Sequence, residues 1–362
     1  MILIIQERDV RDMEERDDDV PISKKNITVG IVYNLKKGIE AKAIDEEAEY
    51  DSIETVNTIS AALKSKDVEV VHIEAGNQIL NHFQNNPVDI VFNIAEGIMG
   101  RGREAQVPAL LNMLKLPFTG SDETTLCLAL DKALTKRILS TYHIKTARYL
   151  LIKADDFSIR DPKLKYPLIV KPNAEGSSKG VSDTCVVSTK DELFTQLRKN
   201  HELYHTDMLI EEYIEGREFT VGLLGNNSDV HVFEPMEIVY KRNTQGDYQV
   251  YSYQVKQAYQ EYVTYQCPST IDKEVANKMK TIAKKIFHIL ACRDFARIDF
   301  RVTDNNEIYF IEINPLPGLA KGYSDYPMLA EFCGVKYDTL IRSILKAGAA
   351  RYGLRLYEED AI

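Results

Sequence analysis

Residues 295–318 read FARIDFRVTDNNEIYFIEINPLPG. The apolar-rich runs FARIDFRV and EIYFIEINP predict two strands. Alternation points Arg297 and Asp299 to one face of the first, and Glu312 and Asn314 to one face of the second. If the strands pair, four polar groups converge. Two carboxylates and an amide oxygen are hard donors suited to Mg²⁺ held with nucleotide phosphates, and the neighbouring Arg297 can stabilise charge building on a transferred phosphoryl group. A half-exposed sheet with a polar face would present the same residues without chemistry. Pro315-Leu316-Pro317-Gly318, directly after, favours the first reading, because a rigid loop there can hold a second substrate beside the metals.

Working outward, ITVGIVYN, DSIETVNTISAALKSK and VEVVHIEA predict a strand, a helix capped at Asp51 or Ser52, and a second strand. NPVDIVFNIAEG is a third strand ending in a glycine-containing loop, and REAQVPALLNMLKLP a helix, so the first part of the chain reads as a parallel α/β unit. A helix is expected around TLCLALDKALTKRILSTY, then strands at RYLLI and YPLIVKP, a helix at DELFTQLRKN and a strand at DMLIEEYI. Beyond these come strands EFTVGLLG and HVFEPMEIVY, a polar Tyr-rich loop from Lys241 to Gln266, and a helix near KEVANKMKTIAKKIFHIL. Residues 1–25 look like a solvated acidic arm.

The 362 residues carry 45 Lys+Arg against 55 Asp+Glu, a net charge of −10, with 44% hydrophobic side chains. That suits two or three folded domains. No apolar run approaches the ~20 residues of a membrane span, and no clustered Lys and Arg argue for nucleic acid. The opening residues lack the pattern of a secretory signal. The five cysteines, Cys127, Cys185, Cys267, Cys292 and Cys333, are never spaced as CxxC. A reducing cytoplasm is the expected location.

Two motifs mislead. His201-Glu202-Leu203-Tyr204-His205 fits the HExxH of zinc hydrolases, yet it sits at a helix end just before a strand, where a surface helix terminus is the better reading. Gly176-Ser177-Ser178-Lys179-Gly180 fits GxSxG, but a nucleophile elbow opens into a helix and VSDTCVVS alternates like a strand. A glycine-serine hairpin loop able to wrap a phosphate fits better. Lys171, at a strand end before that loop, is a reasonable point charge for phosphates, and Lys132 and Lys256 lie in apolar or aromatic surroundings. No GxxxxGK[ST] loop occurs, so phosphate binding must rest on another architecture.

Together FNIAEG…GREAQVPALL, FTGSD, LDKALTKR, VKPNAEGSSKGV, LIEEYIEGREFTVGLLG, YSYQVK with YQCP, ARIDFR and IEINPLPG resemble the ATP-grasp carboxylate-amine ligases, and within them the D-alanine–D-alanine ligase group. The resemblance implies an α/β ATP-grasp fold, with a parallel α/β N-terminal domain followed by two α+β domains that sandwich ATP. The corresponding spans are residues 26–119, 120–212 (the lid) and 213–350. It implies ATP, two Mg²⁺ ions (Mn²⁺ as substitute) and a homodimer. By resemblance, Lys132 and Lys171 contact the nucleotide phosphates, Ser177 and Ser178 are the serines of the loop over them, and Glu175 is a further nucleotide-binding residue. Glu211 and the backbone near Ile214 match the adenine-reading hinge and Glu218 the ribose-binding acid. Asp299, Glu312 and Asn314 match the metal ligands. Arg297 and Gly318 match the groups holding the acyl-phosphate and tetrahedral intermediate, and Lys256 a lysine bordering the γ-phosphate.

The implied reaction is attack of a carboxylate on the ATP γ-phosphate, then of an amine on the acyl-phosphate, which needs positioning and charge neutralisation rather than a covalent nucleophile. Departures gather where the amino acids would be read. Glu96-Gly97 stands where the group has an HG pair, Gln257 follows Lys256 where a tyrosine is usual, Tyr33 to Gly38 replaces a G-x-S-x-E type turn, and Lys321-Gly322-Tyr323-Ser324-Asp325-Tyr326-Pro327 replaces a small-residue HSL segment. Glu96, Lys321, Tyr323, Ser324 and Asp325 are therefore the candidate substrate contacts, for an amino acid or other carboxylate and an amine. The alternatives are a ligase with a product other than the D-alanine dipeptide, a nucleotide-binding protein without catalysis and, remotely, a zinc hydrolase at His201 and His205.

Overall fold

The computed structural model describes residues 26–37, 49–155, 163–175, 185–242, 248–354 and 356. The acidic arm at 1–25 and the loop serines Ser177 and Ser178 lie outside them. Among the described residues no helix is long and apolar enough to cross a membrane.

Three sheets organise the chain. Strands β1 (Ile27–Tyr33), β2 (Val68–Glu74) and β3 (Ile90–Asn93) run parallel in the order β2-β1-β3. Both faces of this sheet are covered, as parallel sheets require. On one face Val56, Ile59 and Leu63 of helix Ile53–Leu63 pack with Leu340, Ile341 and Ile344 of the C-terminal helix Tyr337–Ala350. The second sheet is antiparallel, with β4 (Tyr149–Ile152), β5 (Leu168–Pro172), β6 (Val186–Val187) and β7 (Met208–Glu212) in the order β4-β7-β5-β6. Helix Lys190–Tyr204 buries Leu193 and Leu197 against it.

The third sheet holds β8 (Arg217–Leu224), β9 (His231–Val232), β10 (Met236–Tyr240), β11 (Val263–Gln266), β12 (Phe295–Val302) and β13 (Ile308–Asn314). Its order is β11-β10-β8-β12-β13, with β9 beside β8. Helix Lys273–Ile289 presents Val275, Met279, Ala283 and Ile286 at helical spacing to one face, where they meet Ala296, Ile298, Phe300 and Val302 of β12. Each large apolar side chain so buried contributes roughly 1.5–3 kcal/mol. The odd-numbered side chains of β12 are thereby committed to the opposite face.

One irregularity shapes that opposite face. Asp299 pairs with Glu312 but Phe300 with Phe310, which leaves Ile311 as an extra residue in β13. The bulge explains why the core-facing residues of β13 run Ile308, Phe310 and then Ile313. It also frees the Ile311 carbonyl, which accepts a hydrogen bond from Lys136 Nζ at 3.2 Å.

Three expectations need correction. The strand expected at HVFEPMEIVY is two, β9 and β10, with Pro235, which has no N–H to give a ladder, between them. The helix expected around TLCLALDKALTKRILSTY is two helices, Glu123–Leu130 and Lys132–Thr141, because Asp131 adopts an extended backbone and its side chain caps Leu134 N. The Tyr-rich segment expected as loop contains helices Tyr253–Gln257 and Tyr259–Tyr262 and the strand β11. Its tyrosines act as apolar surface. Tyr240, Tyr251, Tyr259, Tyr262 and Tyr265 pack around Ile238, Val255 and Val263, so counting them as polar hid the element.

Candidate active site

The break at Asp131 places Lys132 at the first position of its helix. Asn173, just beyond β5, fixes that terminus: its backbone oxygen accepts from Lys132 N at 3.1 Å and its Oδ1 from Ala133 N at 2.9 Å. One buried asparagine thus ties the helix N-terminus to the strand that carries Lys171. A helix N-terminus bearing a lysine is a favourable place for phosphate.

The face of β12 and β13 turned from the core carries the four residues singled out above. Arg297 pairs in register with Asn314, and Asp299 with Glu312. Arg297 donates to both Asp299 oxygens, at 3.1 and 2.9 Å, and to Asp325 at 3.3 Å. Asp325 in turn accepts from the hydroxyls of Tyr265 (3.0 Å) and Tyr251 (3.4 Å). Burial pushes the Asp299 carboxyl up to about 6; Arg297 opposes this and Glu312 adds to it. Two facing carboxylates beside an amide oxygen, one unsettled by the other, fit a hard divalent cation whose remaining ligands are phosphate oxygens. Lys132 Nζ lies 3.6 Å from Glu312.

Across the cleft, each oxygen of Glu211 meets a lysine at 2.7 Å, Lys136 on one side and Lys171 on the other. Burial alone would push this carboxyl up, but the two ammonium groups outweigh it and hold it at about 2. Glu218 accepts from Arg301 at 2.8 Å and from the Tyr240 hydroxyl at 2.9 Å, while Arg301 also donates to the Ile214 carbonyl at 3.2 Å. Burial lowers the Lys256 ammonium, with Asp325, Glu96 and Glu312 pulling it back up.

Apart from Asp131, Ala133, Asn173, Tyr240 and Tyr265, which brace them from behind, these groups line one cavity of about 500 Å³, between the second and third sheets and open toward the first. Glu175, Glu96, Gly318, Lys321, Tyr323 and Ser324 line it too. A Cβ on Gly318 would stand 2.8 Å from Ser324 Oγ, so only glycine fits there without displacing that hydroxyl. Ser324 Oγ accepts from Ala320 N at 3.1 Å, Tyr323 takes a hydrogen bond from Gln257 at 3.0 Å, and Lys321 lies over the Tyr337 ring at 5.2 Å. His201 and His205 are elsewhere. His205 caps its helix in the left-handed conformation, and the two rings meet edge to face 6.1 Å apart, outside the lining of this cavity.

Several residues of the cavity escaped the sequence reading. Lys136 stands four residues after Lys132, on the same helix face, and Arg301 two residues after Asp299, on the same strand face. The periodicities already applied to their neighbours would have found both. Glu49 and Glu104, gathered around Arg103, carried no such signal.

The family model described as the D-ala D-ala ligase C-terminus matches residues 138–346. The D-alanine–D-alanine ligase of Cupriavidus necator is 30% identical over 297 residues, covering 82% of this chain and 86% of its own. That of Carboxydothermus hydrogenoformans is 31% identical over 324 residues, covering 87% and 98%. The crystal structure of D-alanine–D-alanine ligase from Bacillus anthracis complexed with ATP superposes with a TM-score of 0.72 at 22% identity, over 90% of this chain and 99% of that one. The fold is therefore the ATP-grasp fold of those enzymes, and with more than half of its length under the family model, this chain belongs to the D-alanine–D-alanine ligase family.

Proposed function

We propose that this chain is an ATP-dependent ligase that joins a carboxylate, that of an amino acid, to an amine through an acyl-phosphate, in the manner of its D-alanine–D-alanine ligase relatives. The observation that carries the reading is the register of β12 on β13. It sets Asp299 against Glu312 and Arg297 against Asn314, at the mouth of a cleft whose far wall carries Lys171.

In this reading Asp299, Glu312 and Asn314 would hold two Mg²⁺ ions, for which Mn²⁺ could substitute, and those ions would neutralise phosphate charge so that the terminal phosphoryl group can leave. Lys132 and Lys171 would hold phosphate oxygens, with the serines Ser177 and Ser178 on the segment that follows Glu175. Glu211 and the Ile214 backbone would face the adenine, and Glu218 the ribose. Arg297, braced by Asp299 and Asp325, would orient the carboxylate and its phosphorylated form, Lys256 would border the transferred group, and Gly318 would leave room for the tetrahedral intermediate. The work is positioning and charge compensation inside the cavity.

Residues 26–119, 120–212 and 213–350 would act as three domains closing on the nucleotide. A cytoplasmic homodimer acting on small molecules, with no nucleic acid or membrane partner, completes the proposal. Purified protein given ATP, Mg²⁺ and a panel of D- and L-amino acids should release phosphate and an amide product identified by mass spectrometry. Silence across a broad panel would overturn the assignment.

A further inference from the structure

At the end of the cavity bordered by the first sheet, five carboxylates gather: Glu49, Asp51, Glu96, Glu104 and Glu175, all lining the space. Arg103 is the central cation among them and its donors are committed. It binds both oxygens of Glu49, lies 3.3 Å from Glu175, and donates to the Ala174 carbonyl at 2.8 Å. Lys36 faces Asp51 from an exposed position, and Lys132 donates to the Glu175 carbonyl and lies 3.6 Å from Glu312, acting on Glu104 only through space.

Glu104 is the telling member. It is 8% exposed, lines the cavity, and has no hydrogen bond or ion pair among the described residues. Burying a carboxylate without a partner is expensive, and the fold does so deliberately. Gly97, at φ +81°, lets the loop after β3 lie on the turn that carries Arg103 and Glu104; a Cβ there would meet the Arg103 carbonyl oxygen at 2.0 Å. That contact sets Glu96 beside Glu104. Burial, then Glu104, Glu49 and Asp51, push the Glu96 carboxyl up, with Arg103 opposing. An ammonium or guanidinium group is the occupant that gathered carboxylates of this kind bind, through charge-assisted hydrogen bonds.

We infer that the substrate seated against the first sheet carries an ammonium or guanidinium group besides the groups that react, as a basic amino acid or a diamine does, and that Glu104 and Glu96 select it. One α-ammonium would engage part of the cluster and leave the rest uncompensated; a second cation at the end of a short aliphatic chain meets it. Glu96, Lys256 and Glu312 all line the one cavity, so the acidic end and the phosphoryl end open onto the same space.

The inference rests on the ligase reading for its location but is tested separately from it. Lysine, 1,5-diaminopentane and the neutral isostere norleucine are titrated into protein loaded with Mg²⁺ and a non-hydrolysable ATP analogue, and binding is read by calorimetry; phosphate release with ATP is measured in parallel. Lysine or the diamine should bind at least tenfold more tightly than norleucine. E104Q should cut that preference to about twofold, and E96Q should reduce it, with affinity for the ATP analogue held within twofold in both. Equal binding of lysine and norleucine, or an unaltered preference in both variants, overturns the inference. Turnover of neutral amino acids with no cation preference would leave the ligase reading standing without it. Cation binding without turnover of any substrate would do the reverse.

Discussion

Two carboxylates of the same cavity stand in opposite electrostatic states. Glu211 and Glu104 are both buried, 4% and 8% exposed, so desolvation penalises the charge of each. Glu211 has a lysine on each oxygen and stays ionised down to about pH 2; Glu104 has other carboxylates around it and is pushed up to about 8, burial first and Glu49 next, against Arg103 and Lys132. Burial alone therefore does not determine what a buried acid does. Its neighbours decide whether it is a closed structural element or an open demand for a ligand. Asp299 stands between the two, braced by Arg297 and unsettled by Glu312.

The largest effect should come from opening the closed cluster. Glu211→Gln leaves Lys136 and Lys171 buried without their counter-ion, and we expect it to lower stability by about 3–5 kcal/mol, read as the shift of the urea midpoint. The sign with pH follows from linkage. A carboxyl held below its unfolded value contributes stability that is present above about pH 4.5 and is lost as pH falls toward 2. In Glu211→Gln that acid-side loss should shrink; an unchanged acid limb would mean that the pair with Lys136 and Lys171 contributes nothing. Next comes Asp299→Asn, which should lower kcat by about 10²–10³-fold, on the order of 3–4 kcal/mol of transition-state stabilisation, with the melting temperature nearly unchanged. Full turnover in that variant would remove Asp299 from the site.

How much of this was legible depended on whether a residue's partners lie nearby in sequence or along a periodic element. Arg297, Asp299, Glu312 and Asn314 could be grouped before any coordinates, because period-two alternation fixes a face and a short connection makes pairing probable. The bulge at Ile311 was invisible, since nothing in IYFIEIN marks one residue as extra, yet it is what gives Lys136 a carbonyl to bind. Glu49, Glu104 and Glu175 meet around Arg103 from three separate segments. Only the folded chain brings such residues together. Glu96 was noticed as a departure from a family pattern, but its setting among other acids required the turn that Gly97 permits.

A smaller effect, opposite in sign to that of Glu211→Gln, is expected at the open cluster. Glu104 is pushed above its unfolded value, so its contribution to stability is complete below about pH 4.5 and is lost as pH rises through 8; Asp51, raised by burial to about 7 against the pull of Lys36, behaves alike. The ligand-free protein should therefore lose stability from pH 5 to pH 8. Glu104→Gln, which cannot ionise, should recover on the order of 2 kcal/mol of it at pH 8 and nothing at pH 4.5. Equal gains at both ends would show that the variant acts through packing instead of charge.

The smallest effect tests the closed side at its rim. Arg301 was overlooked in sequence, and it holds four partners at once: the Tyr213 hydroxyl at 2.9 Å, the Ile214 carbonyl at 3.2 Å, Glu218 at 2.8 Å and the Gln249 carbonyl at 2.7 Å. It is a positioning residue, because it fixes Glu218 and the Ile214 backbone, the two groups proposed to face the nucleoside. Arg301→Lys keeps the charge but cannot span those acceptors with one ammonium. We expect KM for ATP to rise about three- to tenfold, roughly 1 kcal/mol, with kcat at saturating ATP within twofold. A fall in kcat at unchanged KM would place Arg301 with the chemistry of Arg297; no change in either would mean that the Glu218 carboxylate does not touch the nucleotide.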